Sequence, residues 1–284
     1  MTEAPPLVSV IVPTKNSART LDSCLTSIKS QSHAAIELIV VDNHSTDQTP
    51  SIALAHCDLV ETWGPERSAQ RNRGAAFARG DFLLFVDSDM SLSSQVVEEC
   101  IAAIREPGAA AVVIPEESVG RGFLARCRAL ERSCYRGDDV VEAARFFRRA
   151  DFEAVDGFDE QLIGMEDWDL TRRVAGGRNM PRIKSGLRHD EGTMRLGSWL
   201  AKKRYYASSS FLYIRKHRGH AIGQANLIFR PAYARNWKRL LRHPVLTAGF
   251  LGLKAMETGA IAWGALEAVS ARGPRLPHRA PPVE

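Results

Sequence analysis

A chain of 284 residues, 44% hydrophobic and 25% charged, can bury a core without disulfides or a structural metal, which excludes disordered, collagen-like and mini-protein classes. Five cysteines (Cys24, Cys57, Cys100, Cys127, Cys134) form an odd set with no C-x-x-C pair, so neither a disulfide framework nor a zinc ribbon is written here, and a reducing compartment is expected. The net charge of +5 is unevenly placed: residues 200–284 carry 15 Lys and Arg against 3 Asp and Glu, leaving 23 against 30 before them, which points to a phosphate-bearing partner or a solvated basic face.

The chain begins MTEAPPLVSV, without a basic segment followed by an apolar one, so no signal peptide is expected and the cytosol is the expected compartment. Residues 7–12 (LVSVIV), 36–41 (IELIVV), 82–86 (FLLFV) and 111–114 (AVVI) are short, β-branched-rich apolar runs that read as buried strands. Leu21, Leu25 and Ile28 recur at helical spacing between the first two. Thr49-Pro50 reads as a cap followed by a first-turn proline, and Asn72 to Arg79 as a third helix that Gly80 ends in a left-handed cap. Alternating strands and helices predict an α/β fold whose mostly parallel sheet is flanked by helices, with ligands at the carboxyl ends of the strands.

Those ends are polar: Pro13-Thr14-Lys15-Asn16, Asp42-Asn43-His44-Ser45 and Asp87-Ser88-Asp89. The first strand-to-helix turn has no glycine, which argues against a nicotinamide-binding G-x-G-x-x-G turn. Two carboxylates one residue apart after an apolar strand suit a hard divalent cation completed by phosphates and water, although turns after strands are also rich in Asp and Ser.

Five segments in this order resemble the family-2 glycosyltransferases of the GT-A fold. They are VSVIVPTKN at 8–16, ELIVVDNHSTDQT at 37–49, SAQRNRGAAFARGDFLLFVDSDM at 68–90, GFDEQLIGMEDWDL at 157–170 and RHDEG at 188–192. The resemblance implies a GT-A type, Rossmann-like sheet and an inverting, metal-dependent transfer from a nucleotide-diphosphate sugar to an acceptor hydroxyl. It places Pro13 and Lys15 beside the base, Asn43 at its edge, Arg71 on the nucleotide, Asp87 at the ribose and Asp89 on Mn²⁺ or Mg²⁺. His189 resembles a further metal ligand. Asp167 would be the catalytic base, with Glu166 orienting the loop, bonding acceptor hydroxyls or capping the following helix. The family often has a second aspartate where this chain has Asn43 and a tyrosine where it has Lys15, so the nucleobase stays open. Arg145, in AARFFRR, would reach a phosphate or lie on a solvated helix face.

The implied division is 1–115 as the donor half, 116–200 as the acceptor and catalytic half of the same domain, 201–270 as a basic helical region, and 271–284 as a disordered tail. Lys202-Lys203-Arg204-Tyr205-Tyr206 would meet the diphosphate of a polyprenyl-linked or other lipid-linked acceptor, or an anionic membrane; a nucleic-acid partner is not expected. Residues 245–266 are apolar apart from Thr247, Lys254, Glu257 and Thr258 on one arc, which reads as an interfacial helix at the inner face of the cell membrane or as a helix packed on the catalytic domain or a second subunit. A glycan acceptor and a homo-oligomer are further expected partners. A non-catalytic nucleotide-sugar-binding protein and a membrane-surface adaptor on the same fold are the alternatives.

Overall fold

The computed structural model describes residues 4–217 and 230–270. In chain order the elements are β1 (Val8–Thr14), α1 (Leu21–Lys29), β2 (Ile36–Asp42), α2 (Thr49–His56), β3 (Leu59–Thr62), α3 (Arg67–Phe77), β4 (Phe82–Phe85), β5 (Met90–Leu92) and α4 (Val96–Ile104). There follow β6 (Ala111–Val113), β7 (Glu116–Arg121), α5 (Gly122–Ser133), β8 (Ala144–Arg148), α6 (Arg149–Glu153), α7 (Glu166–Ala175), β9 (Leu187–Thr193) and α8 (Leu196–Lys216). Beyond residue 230 come α9 (Pro231–Arg235), α10 (Trp237–Leu241) and α11 (Pro244–Ser270).

Two compact units result, one drawn from Met1–Glu116, Ala143–Glu160 and Glu166–Asp190, the other from Glu117–Glu142, Gln161–Met165 and Glu191–Glu284. The segment 116–200 is therefore shared between them. The expected tail at 271–284, and Arg218 of the basic run, lie outside the described residues.

The first unit is built on a six-stranded sheet of order β3-β2-β1-β4-β8-β6. β1 pairs in parallel with β2 and β4, and β2 with β3, whereas β8 runs antiparallel to both its neighbours. Strand alternation sorts the core: Val8, Val10, Val12 and Leu84 face one layer, and Ile11, Leu83 and Phe85 the other. Because both faces are covered, the strands read as unbroken apolar runs rather than alternating ones. A second sheet has the order β5-β9-β7.

Several local expectations shift. Residues 144–148 form a strand, not a helix face, because Phe146 and Phe147 must bury on opposite sides of the sheet. The cap before α2 is Gln48 rather than Thr49, and Pro50 stands in the first turn. Gly80 is not left-handed, and α3 ends at Phe77. A Cβ at Gly80 would stand 2.7 Å from Leu7 O and from Ser9 N, so glycine is needed there for close approach to β1.

The second unit packs α11 against α5 and α8, with Cys127, Phe250 and Leu253 as its apolar centre. The polar arc of α11 points into this packing. Lys254 Nζ pairs with Glu131 Oε1 at 2.6 Å and with Glu257, and Lys203 Nζ reaches Glu257 Oε1 at 2.6 Å. Arg128 and the Tyr135 hydroxyl complete the shell of Glu131. Lys203 is thus committed internally rather than offered to an acceptor. The charges of this arc face protein rather than water, and they bury because each finds an opposite partner.

Burial alone would raise the pKa of Glu257, but Lys203, Lys254 and Arg128 outweigh it and lower it to about 2 from 4.5; the same balance holds Glu131 below the usual range. The stability these carboxylates contribute is complete above their unfolded pKa and is lost as pH falls through the folded one. Chemical denaturation followed by circular dichroism should show stability falling from pH 4.5 towards pH 2. Lys254→Met should cost about 3 kcal/mol at neutral pH, because it removes the cation that two buried carboxylates share.

Candidate active site

Arg71 lies on α3, and α3 approaches β1 so closely that a Cβ at Gly74 would stand 2.5 Å from Ile11 Cγ2. That proximity sinks the Arg71 side chain to zero exposure. Its Nη2 donates to Asp87 Oδ1 at 2.6 Å, and its Nη1 to Asp167 Oδ1 at 2.9 Å and Glu166 Oε1 at 3.2 Å. The guanidinium also lies over the Phe158 ring, 5.1 Å from its centroid. Arg71 is therefore engaged by three carboxylates from two distant segments.

Glu166 and Asp167 open α7, where the unpaired amides of a helix N-terminus favour negative charge. Met165, at φ 66°, turns the chain into that helix. Glu166 is buried and also meets Arg67 at 3.3 Å; burial dominates and pushes its pKa up. Asp167 is half-exposed, and Thr171 donates to its backbone oxygen at 2.6 Å while receiving Ala144 N–H, which ties α7 to β8. Asp87 follows β4. Burial would raise its pKa, but Arg71, Arg145 and Arg67 hold the carboxyl far below its ordinary range.

From Asp87 the ion pairs continue. Arg145 on β8 reaches Asp87 Oδ2 and Glu116 Oε2, each at 3.4 Å. Glu116 Oε1 lies 2.8 Å from His189 Nδ1, and His189 Nε2 lies 3.2 Å from Asp89 Oδ2. Burial works against the imidazolium, but Asp89 and Glu116 outweigh it and raise the His189 pKa to about 10. Pairing of β5 with β9 sets Met90 opposite His189, which brings the Asp87-Ser88-Asp89 turn to the histidine.

Asp89 and His189 are the residues suited to a divalent cation. Asp89 Oδ1 is buried without a hydrogen-bond partner, as an oxygen awaiting a cation would be. A carboxylate on the far nitrogen of a metal-binding histidine is a recurring way to fix its orientation. Among the described residues no three His, Cys, Asp or Glu side chains converge on one ion position. A cation held by these two side chains would complete its shell with phosphate oxygens and water, as suits Mg²⁺ or Mn²⁺.

The other expected residues gather at the ends of β1 and β2. Pro13 is buried opposite Val41, and Lys15 is exposed just beyond the strand. Asn43 is buried, donating from Nδ2 to Pro65 O at 2.5 Å, with Gly64 close against its Oδ1. Gln70 Nε2 bridges Thr14 O and Val41 O at 2.9 and 2.6 Å, locking the two strand ends together. Ser17 Oγ meets Ser88 Oγ at 2.8 Å, joining the first and third polar turns. Arg73 points away from the carboxylates, to Glu61, Trp63 and Phe77. The acidic run 156–160 is a structural clamp: Asn72 exchanges hydrogen bonds with Phe158 backbone and reaches Glu160.

Sequence reasoning passed over Glu116 and Gln70. Glu116 does carry a signal, for it follows the apolar run 111–114 just as Asp42 and Asp87 follow theirs. Gln70 has none, because only the packing of α3 on β1 and β2 brings it to both carbonyls.

Comparison with known proteins bears on the family and the fold. The model of the family described as Glycosyl transferase family 2 matches residues 9–154. The chain is 30% identical over 224 residues to a pre-mycofactocin glycosyltransferase of Mycobacterium tuberculosis, across 72% of this chain and 46% of that relative. It is 29% identical over 180 residues to a PGL/p-HBAD biosynthesis glycosyltransferase of Mycobacterium bovis, across 60% of this chain and 70% of that one. It thus spans about half the length of the first relative. Among solved structures, S. aureus TarS (residues 1–349) superposes with a TM-score of 0.55 at 19% identity, covering 94% of this chain and 92% of that one. The mannosyltransferase PcManGT from Pyrobaculum calidifontis, in complex with GDP-Man and Mn²⁺, gives 0.57 at 20%, covering 95% and 76%. Those two likenesses speak for the fold. With its matched segment carrying the β1, β2 and β4 turns around Arg71, the chain belongs to glycosyl transferase family 2 and has the GT-A fold.

Proposed function

We propose that this chain transfers a sugar from a nucleotide-diphosphate donor to a hydroxyl of a glycan or lipid-linked acceptor, with inversion at the anomeric carbon. The observation that carries the reading is the unbroken ladder of ion pairs from Asp167 through Arg71, Asp87, Arg145 and Glu116 to His189 and Asp89. A base for the acceptor and a site for the donor diphosphate must act on one sugar together, and this ladder joins them in a single unit. Donors of the expected class occupy neighbours of the same fold: UDP-GlcNAc in TarS and GDP-Man in PcManGT.

In the transfer, the bond from the anomeric carbon to the diphosphate oxygen breaks while a bond to the acceptor oxygen forms on the opposite face. The acceptor proton must leave as that bond forms. Asp167 Oδ1 is held by Arg71, which orients the carboxylate so that Oδ2 takes this proton as general base. Glu166, buried against Arg67 and Arg71, anchors the start of α7 beneath it. Pro13, Lys15, Asn43 and Asp87 are assigned to the nucleoside; Arg71 acts on it through Asp87. Asp89 and His189 would hold Mn²⁺ or Mg²⁺, which when bound neutralises charge on the departing nucleoside diphosphate.

Asp167→Asn should lower kcat about a thousandfold while the thermal shift produced by the donor persists. A variant that retains its rate would remove Asp167 from the chemistry. The anomeric configuration of the product, read by NMR, should be opposite to that of the donor. Separately, UDP and GDP should be screened for a rise in Tm with Mn²⁺ present and absent. A manganese-dependent rise is expected in the wild type and should be lost in Asp89→Ala and His189→Ala; a rise indifferent to manganese would count against the cation site.

A further inference from the structure

We propose that the outer face of α11, with α10 leading into it, lies flat on an anionic phospholipid bilayer. The inference rests on the direction in which the helix faces, and it stands independently of the transfer reaction.

Helix α11 contains one stretch, Pro244–Gly264, long and apolar enough by composition to cross a membrane. Its two faces differ sharply in what they carry. At about 100° per residue, Phe250, Leu253, Lys254 and Glu257 share one arc and are buried. Val245, Leu251, Met256, Trp263 and Leu266 share the opposite arc, at 70%, 48%, 39%, 59% and 66% exposure. The other described exposed residues on that arc are Pro244 and a series of Ala and Gly. Among the described side chains of α11 the charged ones face inward and the exposed ones are apolar, which reverses the usual pattern of a surface helix. At 1.5 Å per residue, the exposed strip from Val245 to Leu266 is roughly 30 Å long.

Charge identifies the occupant. The segment 230–256 has no Asp or Glu, and Lys238, Arg239 and Arg242 are exposed where α10 runs into α11. Trp237 and Leu241 stand among them at 54% and 68% exposure, adding apolar surface at this end. At the far end the Arg204 guanidinium lies 5.9 Å from the Trp263 ring centroid. An apolar strip with cations and indoles at both ends matches the headgroup boundary of an anionic leaflet, where apolar burial and phosphate attraction add. The paired charges of Lys254, Glu131, Glu257 and Lys203 keep the inner face on protein, so the helix lies along the surface rather than across it.

The test uses the full chain and vesicles of phosphatidylcholine, alone or with about 30% phosphatidylglycerol, read by cosedimentation and tryptophan emission. Binding with a blue shift is expected on the anionic vesicles, much weaker on the neutral ones, and released by about 0.5 M NaCl. Leu251→Gln with Met256→Gln should lower the partition at least about tenfold with an unchanged circular dichroism spectrum. Lys238→Gln with Arg242→Gln should lower it about fivefold per cation removed. Failure to bind anionic vesicles, binding indifferent to both pairs of substitutions, or binding that salt does not release would overturn the proposal. A wild-type dimer that Leu251→Gln with Met256→Gln dissociates, without vesicle binding, would assign the face to a second copy instead.

Discussion

One guanidinium organises the candidate active site. Arg71 is fully buried, yet Asp87, Asp167 and Glu166 all accept hydrogen bonds from it. Three carboxylates that close would repel one another and resist ionisation if no cation stood between them. A planar fork of donors can satisfy several acceptors at once, which the point charge of a lysine cannot. Glycine at position 74 is part of the same arrangement, because it lets α3 settle on β1 deeply enough for the fork to sit between the strand end and the start of α7.

From this centre, alternating charge propagates. Arg145 repeats at Asp87 and Glu116 what Arg71 does at Asp87 and Asp167, and His189 closes the series against Asp89. Each group is oriented by the next, so the carboxylates are set before any ligand arrives. Preorganisation of this kind spares the reorganisation that orienting charged groups would otherwise cost. The polar turns around it are braced separately, by Gln70 between the strand ends and by the contact of Ser17 with Ser88.

The second unit applies the same physics to a different end. There Lys254 stands between Glu131 and Glu257, Lys203 pairs with Glu257, and the pairing lets four charges leave water together. Those charges share the inner arc of α11 with Phe250 and Leu253, and Val245, Leu251, Met256, Trp263 and Leu266 are left on the outside. The charge network that stabilises the packing thus lies opposite the exposed apolar strip.

The sequence alone determined the α/β character, the strands near 8, 36 and 82, and the polar turns that follow them, because apolar runs and turn chemistry are local properties. The resemblance of its motifs brought Asp87, Asp89, Asp167 and His189 into view as one set. Only the tertiary structure decided that Arg71 holds the carboxylates rather than standing open to a ligand, that 144–148 is a strand, and that Glu116 backs His189. It also decided which way α11 faces: periodicity places Lys254 and Glu257 on one arc without saying whether water or protein lies beyond it. Those outcomes depend on partners 16 to 96 residues away along the chain in the case of Arg71, and no local pattern encodes such distances.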